Sequence, residues 1–284
     1  NDVRRSGQQY STSPVISTAS QIMGINNSTE DAIVFEPQVG LGLLTTLWAN
    51  QTKVVGMELE GDTSSRGVAG QHMGMPASGK LINVSDRKGD SVTSTDNAKN
   101  LKGQFENEDV LILANPPFGQ LVQDGEKIKQ ISMDYTRPGK EGKTTLTTAE
   151  DAAMAFATNA LAKSKSGTMV FVFGARGGIF STAMAPEARL EKYNIRGRNP
   201  ILQLFYKTFT VVSHTTVGGS LYKQMGTSFP VDVIVLKNEK PAEGHIVVSN
   251  GRPQSEFGKS VEDVPTIIKT VDRLIEQALL ASGE

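Results

Sequence analysis

The stretch DVLILANPPFG, residues 109–119, decides how the chain reads. After Asp109 it runs continuously apolar to Ala114, the pattern of a strand buried on both faces rather than one half exposed to water. Asn115, Pro116 and Pro117 then end the run. Two prolines continue neither a ladder nor a helix, so the chain must leave the sheet rigidly at the strand's carboxyl end. Similar apolar runs recur at 32–35 (AIVF), 53–57 (KVVGM), 81–84 (LINV), 168–173 (TMVFVF), 209–212 and 231–236. Between them, 41–50 and 148–164 read as helices. The second opens with Thr148 three residues before Asp151, close to a capping pattern. Strands alternating with helices predict an α/β fold on a doubly wound, parallel sheet.

Composition narrows the chemistry. The 284 residues include 29 Lys+Arg, 30 Asp+Glu and no cysteine. A chain of this length can bury a self-sufficient core. Without thiols it has no disulfide scaffold, no cysteine zinc or iron–sulfur site and no thiol nucleophile. His72, His214 and His245 stand apart and offer no His-rich metal site. Balanced charge argues against a broad nucleic-acid-binding coat but leaves room for a local basic cleft. No run reaches the roughly 18 apolar residues of a membrane span, and no signal peptide opens the chain, so a cytoplasmic protein is expected. The start at Asn1 and the helical spacing of apolar residues over 267–279 predict a segment of a longer or processed polypeptide. Residues 120–147, polar and rich in Lys and Gly, are expected to form a long mobile loop. Residues 185–207 carry a local excess of positive charge.

A second motif follows the first strand: FEPQVGLG, residues 35–42. Glycines there let the backbone approach a ligand closely, and a following helix N-terminus adds donors. Glu58, ending the second strand, stands where an acid can take both hydroxyls of a ribose. The turn lacks the third glycine of a dinucleotide fingerprint, and no Lys-Ser/Thr follows it. Glu36 would repel a pyrophosphate and suits a cationic, amino-bearing ligand such as S-adenosylmethionine.

The tetrapeptide after the fourth strand leaves the sheet at the same edge. The side-chain carbonyl of Asn115 and the backbone carbonyl of Pro116 can both accept hydrogen bonds from an exocyclic amine, and Phe118 offers a face to a planar ring. That arrangement directs the amine lone pair toward a methyl donor above the first strand, with rate gained from positioning and electrostatics. Cytosine methylation at carbon 5 needs a thiol that adds to the ring, and this chain has none.

The order YSTSP (10–14), FEPQVGLG, VVGMELE (54–60), NPPFG and GTSFPVDVIVLK (226–237) resembles amino-group DNA methyltransferases. It is most similar to the adenine-N6 group in which the cofactor half precedes the catalytic half, including type I restriction modification subunits and phage or plasmid antirestriction modules. The resemblance spans roughly 8–238, and it implies the S-adenosylmethionine-dependent methyltransferase fold: a Rossmann-like, seven-stranded sheet, mostly parallel, with an antiparallel last strand. It implies that Ser13, Pro14, Glu36, Gly40, Gly42, Glu58 and Asp86 (with Asp90 as the alternative acid) bind the cofactor. Asn115, Pro116, Pro117 and Phe118 match the catalytic loop, and Tyr222 lies where a second aromatic meets the flipped base. Residues 1–238 are then the catalytic domain. Residues 239–284 form a C-terminal strand and amphipathic helix, a link to a further domain, and are too few to read a DNA sequence, so further domains or subunits would supply recognition. Gln38-Val39 departs from the small residues usual in the turn. Methylation of cytosine N4, of RNA or of protein glutamine, and a non-catalytic scaffold, are the alternatives left open.

Overall fold

A computed structural model describes residues 12–39, 42–48, 54–58, 80–83, 105–116, 122–123, 126–127, 129–137, 140–146, 148–174, 205, 208–217 and 231–239. Helix α1 spans Pro14–Asn27 and leads into strand β1 (Ile33–Glu36). A short 3-10 helix (Leu43–Trp48) precedes β2 (Val54–Glu58) and β3 (Lys80–Asn83). Strand β4 is Asp109–Ala114, as its apolar run predicts, and four short strands follow: β5 (Val122–Gln123), β6 (Glu126–Lys127), β7 (Ile131–Arg137) and β8 (Lys140–Leu146). Helix α2 (Ala149–Lys163), β9 (Ser166–Gly174), β10 (Thr210–Val217) and β11 (Val231–Lys237) complete the described elements.

Seven strands form one sheet in the order β10-β11-β9-β4-β1-β2-β3. Pairs β1–β2, β2–β3, β1–β4 and β4–β9 are parallel. Among the described strands of this sheet, β11 runs opposite to the rest, antiparallel to both β9 and β10. This is the Rossmann-like fold of S-adenosylmethionine-dependent methyltransferases, with the antiparallel last strand that the resemblance implies.

Period-2 alternation splits the central strands between two cores. Val110, Ile112 and Ala114 of β4, with Met169, Phe171 and Phe173 of β9, face one layer together with Phe35, Phe105 and Phe156. Leu111 and Leu113, with Val170 and Val172, face the other, against Ile16, Ala19 and Met23 of α1. The large rings lie on the side of α2, whose Ala152, Ala153, Ala155 and Ala157 are all fully buried. Small helix residues let that helix approach the sheet while the phenylalanines fill the space between them. Phe35 stacks on Phe105 at 4.6 Å between ring centroids. On the opposite face α1 comes close at Gly24, where a Cβ would stand 2.9 Å from Leu111 Cδ1.

Helix α2 begins where its capping pattern predicts: the Thr148 side chain accepts from the Asp151 amide at 3.1 Å. Helix α1 is absent from the sequence reading. Proline at its first position presets φ for a helix start, but Ser17, Ser20, Gln21 and Gly24 are buried alongside its apolar residues, which blurs the amphipathic signal. The helix expected at 41–50 is a 3-10 helix over its described part, Leu43–Trp48. The mobile loop expected at 120–147 is a correction. Its described residues form two antiparallel hairpins, β5–β6 and β7–β8. Arg137 pairs with Lys140 and Gln123 with Glu126 at the ends of the two hairpins. In the sequence, Asp124-Gly125 is a hairpin signal that charge content alone conceals. Leu146, at the end of β8, is buried in the α2-side core and anchors the insertion.

Two substitutions should separate cap from core. Thr148→Ala should cost about 1 kcal/mol, the usual loss of an N-cap. Phe35→Ala should cost about 3–5 kcal/mol, as transfer and cavity terms add. Urea unfolding followed by circular dichroism measures both.

Candidate functional site

The sheet reverses its build direction between β1 and β4: β2 and β3 extend it one way, β9 and β11 the other. At such a switch point the connections leave to opposite faces and open a crevice at the carboxyl ends of the strands, the usual ligand site of open α/β sheets. Both sequence motifs leave the sheet there. Phe35 of β1 is level with Ile112 of β4, so the turn after Glu36 and the segment at Asn115 emerge side by side.

The turn after β1 is tied down at several points. The Val39 amide donates to the Met57 carbonyl at 2.9 Å, joining the turn to β2. The Gly42 amide donates to the Val39 carbonyl at 2.7 Å, and Gly42 has φ 70°, a conformation that favours glycine. Glu36 is 1% exposed, so a carboxylate is held inside the turn. Both amide atoms of Gln38 are buried and, among the described residues, meet no hydrogen-bond partner. A buried amide with neither group paired costs free energy that a polar ligand can return. Gln38 escaped the sequence reading except as a departure from a small-residue turn.

Asn115 and Pro116 lie directly beyond β4. Pro116 is buried, and Asn115 is half buried with its Oδ1 closed to solvent. The Asn115 Nδ2 donates to Thr12 Oγ1 at 2.8 Å across 103 positions of sequence. That contact brings the start of α1 into the site. Thr12 and Ser13 are 4% and 3% exposed. Ser13 is the N-cap of α1, its side chain makes no capping hydrogen bond, and the first turn carries no acid. Through Thr12 the positive end of the helix is brought to Asn115.

A polar clamp holds α1 against the 3-10 helix. Gln21 is 0% exposed. Its Nε2 donates to the Leu43 carbonyl and to Thr46 Oγ1, each at 3.0 Å, and its Oε1 accepts from the Leu47 amide at 2.8 Å. Ser17 Oγ also donates to the Leu43 carbonyl. At the same sheet edge, Glu150 in the first turn of α2 accepts from the Gly174 amide at 2.7 Å, fixing the end of β9. Thr12, Gln21 and Glu150 are long-range contacts that no local motif announces.

Of the residues singled out in the sequence, Ser13, Pro14, Glu36, Gly42, Asn115 and Pro116 fall at this edge. Glu58 ends β2, level with Asn83 of β3. Gly40, Asp86, Asp90, Pro117, Phe118 and Tyr222 lie outside the described residues, as do all of the expected C-terminal segment 239–284 beyond Glu239 and most of the basic stretch 185–207. Among the described residues no group of three or more His, Asp or Glu could hold a metal ion. No described helix is long and apolar enough to cross a membrane. The chemistry of the edge is a buried carboxylate, a helix N-terminus, an unpaired amide and an Asn-Pro carbonyl pair. It fits a ligand carrying both an amino group and a carboxylate.

No family model matches the sequence, and no curated protein matches it. Solved structures are similar in fold. The type I restriction-modification methyltransferase subunit from Streptococcus thermophilus aligns with 95% of this chain at 14% identity and TM-score 0.49. The type I restriction enzyme EcoKI M protein aligns with 82% at 12% identity and TM-score 0.46. The chain spans 54% and 45% of the lengths of those two proteins. A SAM-dependent methyltransferase from Anabaena variabilis aligns with 82% of this chain and 98% of its own length, at 12% identity and TM-score 0.42.

Gly42→Ala should lower stability by roughly 1 kcal/mol, because an L-residue is strained at positive φ. A urea titration reads the loss, and a stability equal to that of the parent would contradict the turn geometry.

Proposed function

We propose that the protein transfers a methyl group from S-adenosylmethionine to N6 of adenine in DNA. The observation that carries the reading is Asn115-Pro116 emerging at the switch point beside the glycine turn, with Thr12 at the N-terminus of α1 bonded to Asn115. When bound, S-adenosylmethionine supplies an electrophilic methyl on a sulfonium. Glu36 provides the opposing charge for the cationic, amino-bearing end. Ser13 and the free amides of the first turn of α1, opened by Pro14, hold its carboxylate. Gly40 and Gly42 let the backbone lie under the ligand, Glu58 takes the ribose hydroxyls, and Asp86 takes the adenine amine.

Asn115 Oδ1 and the Pro116 carbonyl accept the two hydrogens of the target amine and direct its lone pair at the methyl. Pro117 stiffens the loop, while Phe118 and Tyr222 stack on the target ring. A duplex base must first be flipped out, at a few kcal/mol that stacking offsets. Basic side chains of 120–147 and 185–207 contact phosphates without reading sequence. Residues 1–238 serve as the catalytic domain, and 239–284 link it to the domains or subunits that recognise the target. The protein is a cytoplasmic module of a larger phage or plasmid antirestriction or modification protein.

The test is a single incubation of labelled cofactor with DNA, RNA and protein in parallel. Label is expected in DNA at adenine N6. Label confined to RNA or protein sinks the DNA reading, and no calorimetric binding of cofactor at several hundred micromolar favours a scaffold. Asn115→Ala should abolish transfer while cofactor affinity stays within about threefold, since the role proposed for its oxygen is toward the target amine and not the cofactor. Glu58→Ala should lose cofactor binding.

A further inference from the structure

We propose that Thr12 is a positioning residue that sets which way round the Asn115 amide sits, a reading that rests on the proposed transfer at Asn115. A carboxamide has nearly the same shape in its two orientations, but only one of them turns the oxygen toward a target amine. In that orientation Nδ2 points the other way and needs an acceptor. Thr12 Oγ1 is that acceptor, 2.8 Å from Nδ2, on a side chain only 4% exposed. Without the threonine hydroxyl, Nδ2 in the productive orientation would lose its acceptor and face an apolar group instead, and the productive orientation would lose population.

Thr12 can do this because its own place is fixed. It directly precedes Ser13, the N-cap of α1, whose carbonyl accepts from the Ser17 amide at 2.8 Å. Gln21, one turn further on, pins the helix to the 3-10 helix after the glycine turn. The same short segment thus touches the cofactor end of the site through Ser13 and the amide at the target end through Thr12.

The experiment compares Thr12→Val, which keeps the shape and removes the hydroxyl, with Thr12→Ser, which keeps the hydroxyl. In the full chain, Thr12→Val is expected to lower kcat by about tenfold to hundredfold with cofactor Kd within about threefold, and Thr12→Ser to restore most of the rate. A second readout needs no turnover: solvent exchange of the Asn115 side-chain amide protons, measured by NMR on asparagine-labelled protein and identified by their loss in Asn115→Ala. Exchange should be slow in the parent and in Thr12→Ser and faster in Thr12→Val. Equal rates in Thr12→Val and parent overturn the role of Thr12 while leaving the transfer reading intact, as does a Thr12→Ser no better than Thr12→Val. A parent that methylates nothing defeats the transfer reading, and amide exchange then still decides the Thr12 contact. Unchanged exchange in Thr12→Val defeats the contact itself.

Discussion

Everything at the candidate site depends on the parallel pairing of β1 with β4 in the centre of the sheet. Both strands are covered on both faces, so their polar continuations can emerge only at the strand ends. Because the sheet grows outward in opposite directions from this pair, the two carboxyl-end segments are not blocked by a shared crossover. A glycine turn and a proline-stiffened asparagine, separated by more than seventy residues in the chain, become neighbours through the strand pairing alone. The pairing is in turn held by the two layers of side chains that β4 divides, phenylalanines beneath α2 and aliphatics beneath α1.

Around that centre the polar groups do positional work. Hydrogen bonds from Val39 to Met57 and from Gly174 to Glu150 pin the ends of strands whose interiors are mainly apolar. The Gln21 clamp fixes a helix whose own sequence specifies its position weakly. Buried side-chain amides of this kind add little net stability when fully paired, but removing a partner strands the rest, so they select one arrangement of the edge over near alternatives. Gln38 is the exception, an amide held in the turn without a partner among the described residues.

What could be read in the sequence follows from which forces are local. The central strands β1, β4, β9 and β11 are visible as apolar runs because double-sided burial demands unbroken hydrophobicity, and α2 is visible through Thr148 and its alanine-rich face. Helix α1 is hidden because Ser17, Ser20 and Gln21 are buried with its apolar residues, which erases the contrast that a surface helix shows. The hairpins described within 122–146 are hidden by lysines and glycines that read as solvent-facing loop, although Asp124-Gly125 is a hairpin signal in the sequence. At the site, Glu36, Gly42, Asn115 and Pro116 could be picked out because strand ends are sequence landmarks. Thr12 could not, since its meaning lies in a partner 103 positions away.

The placement of β11 has a consequence for how the molecule is made. This strand lies between β9 and β10, although it follows both in the chain. As a ribosome releases the polypeptide, β9, with its Met-Val-Phe-Val-Phe run, has one side paired to β4 and the other open until residues 231–237 emerge. An open, apolar edge of that kind is a template for association with other chains. The interval between synthesis of β9 and insertion of β11 is therefore the period when the nascent protein most needs shielding, and a truncation between them would leave the edge permanently exposed.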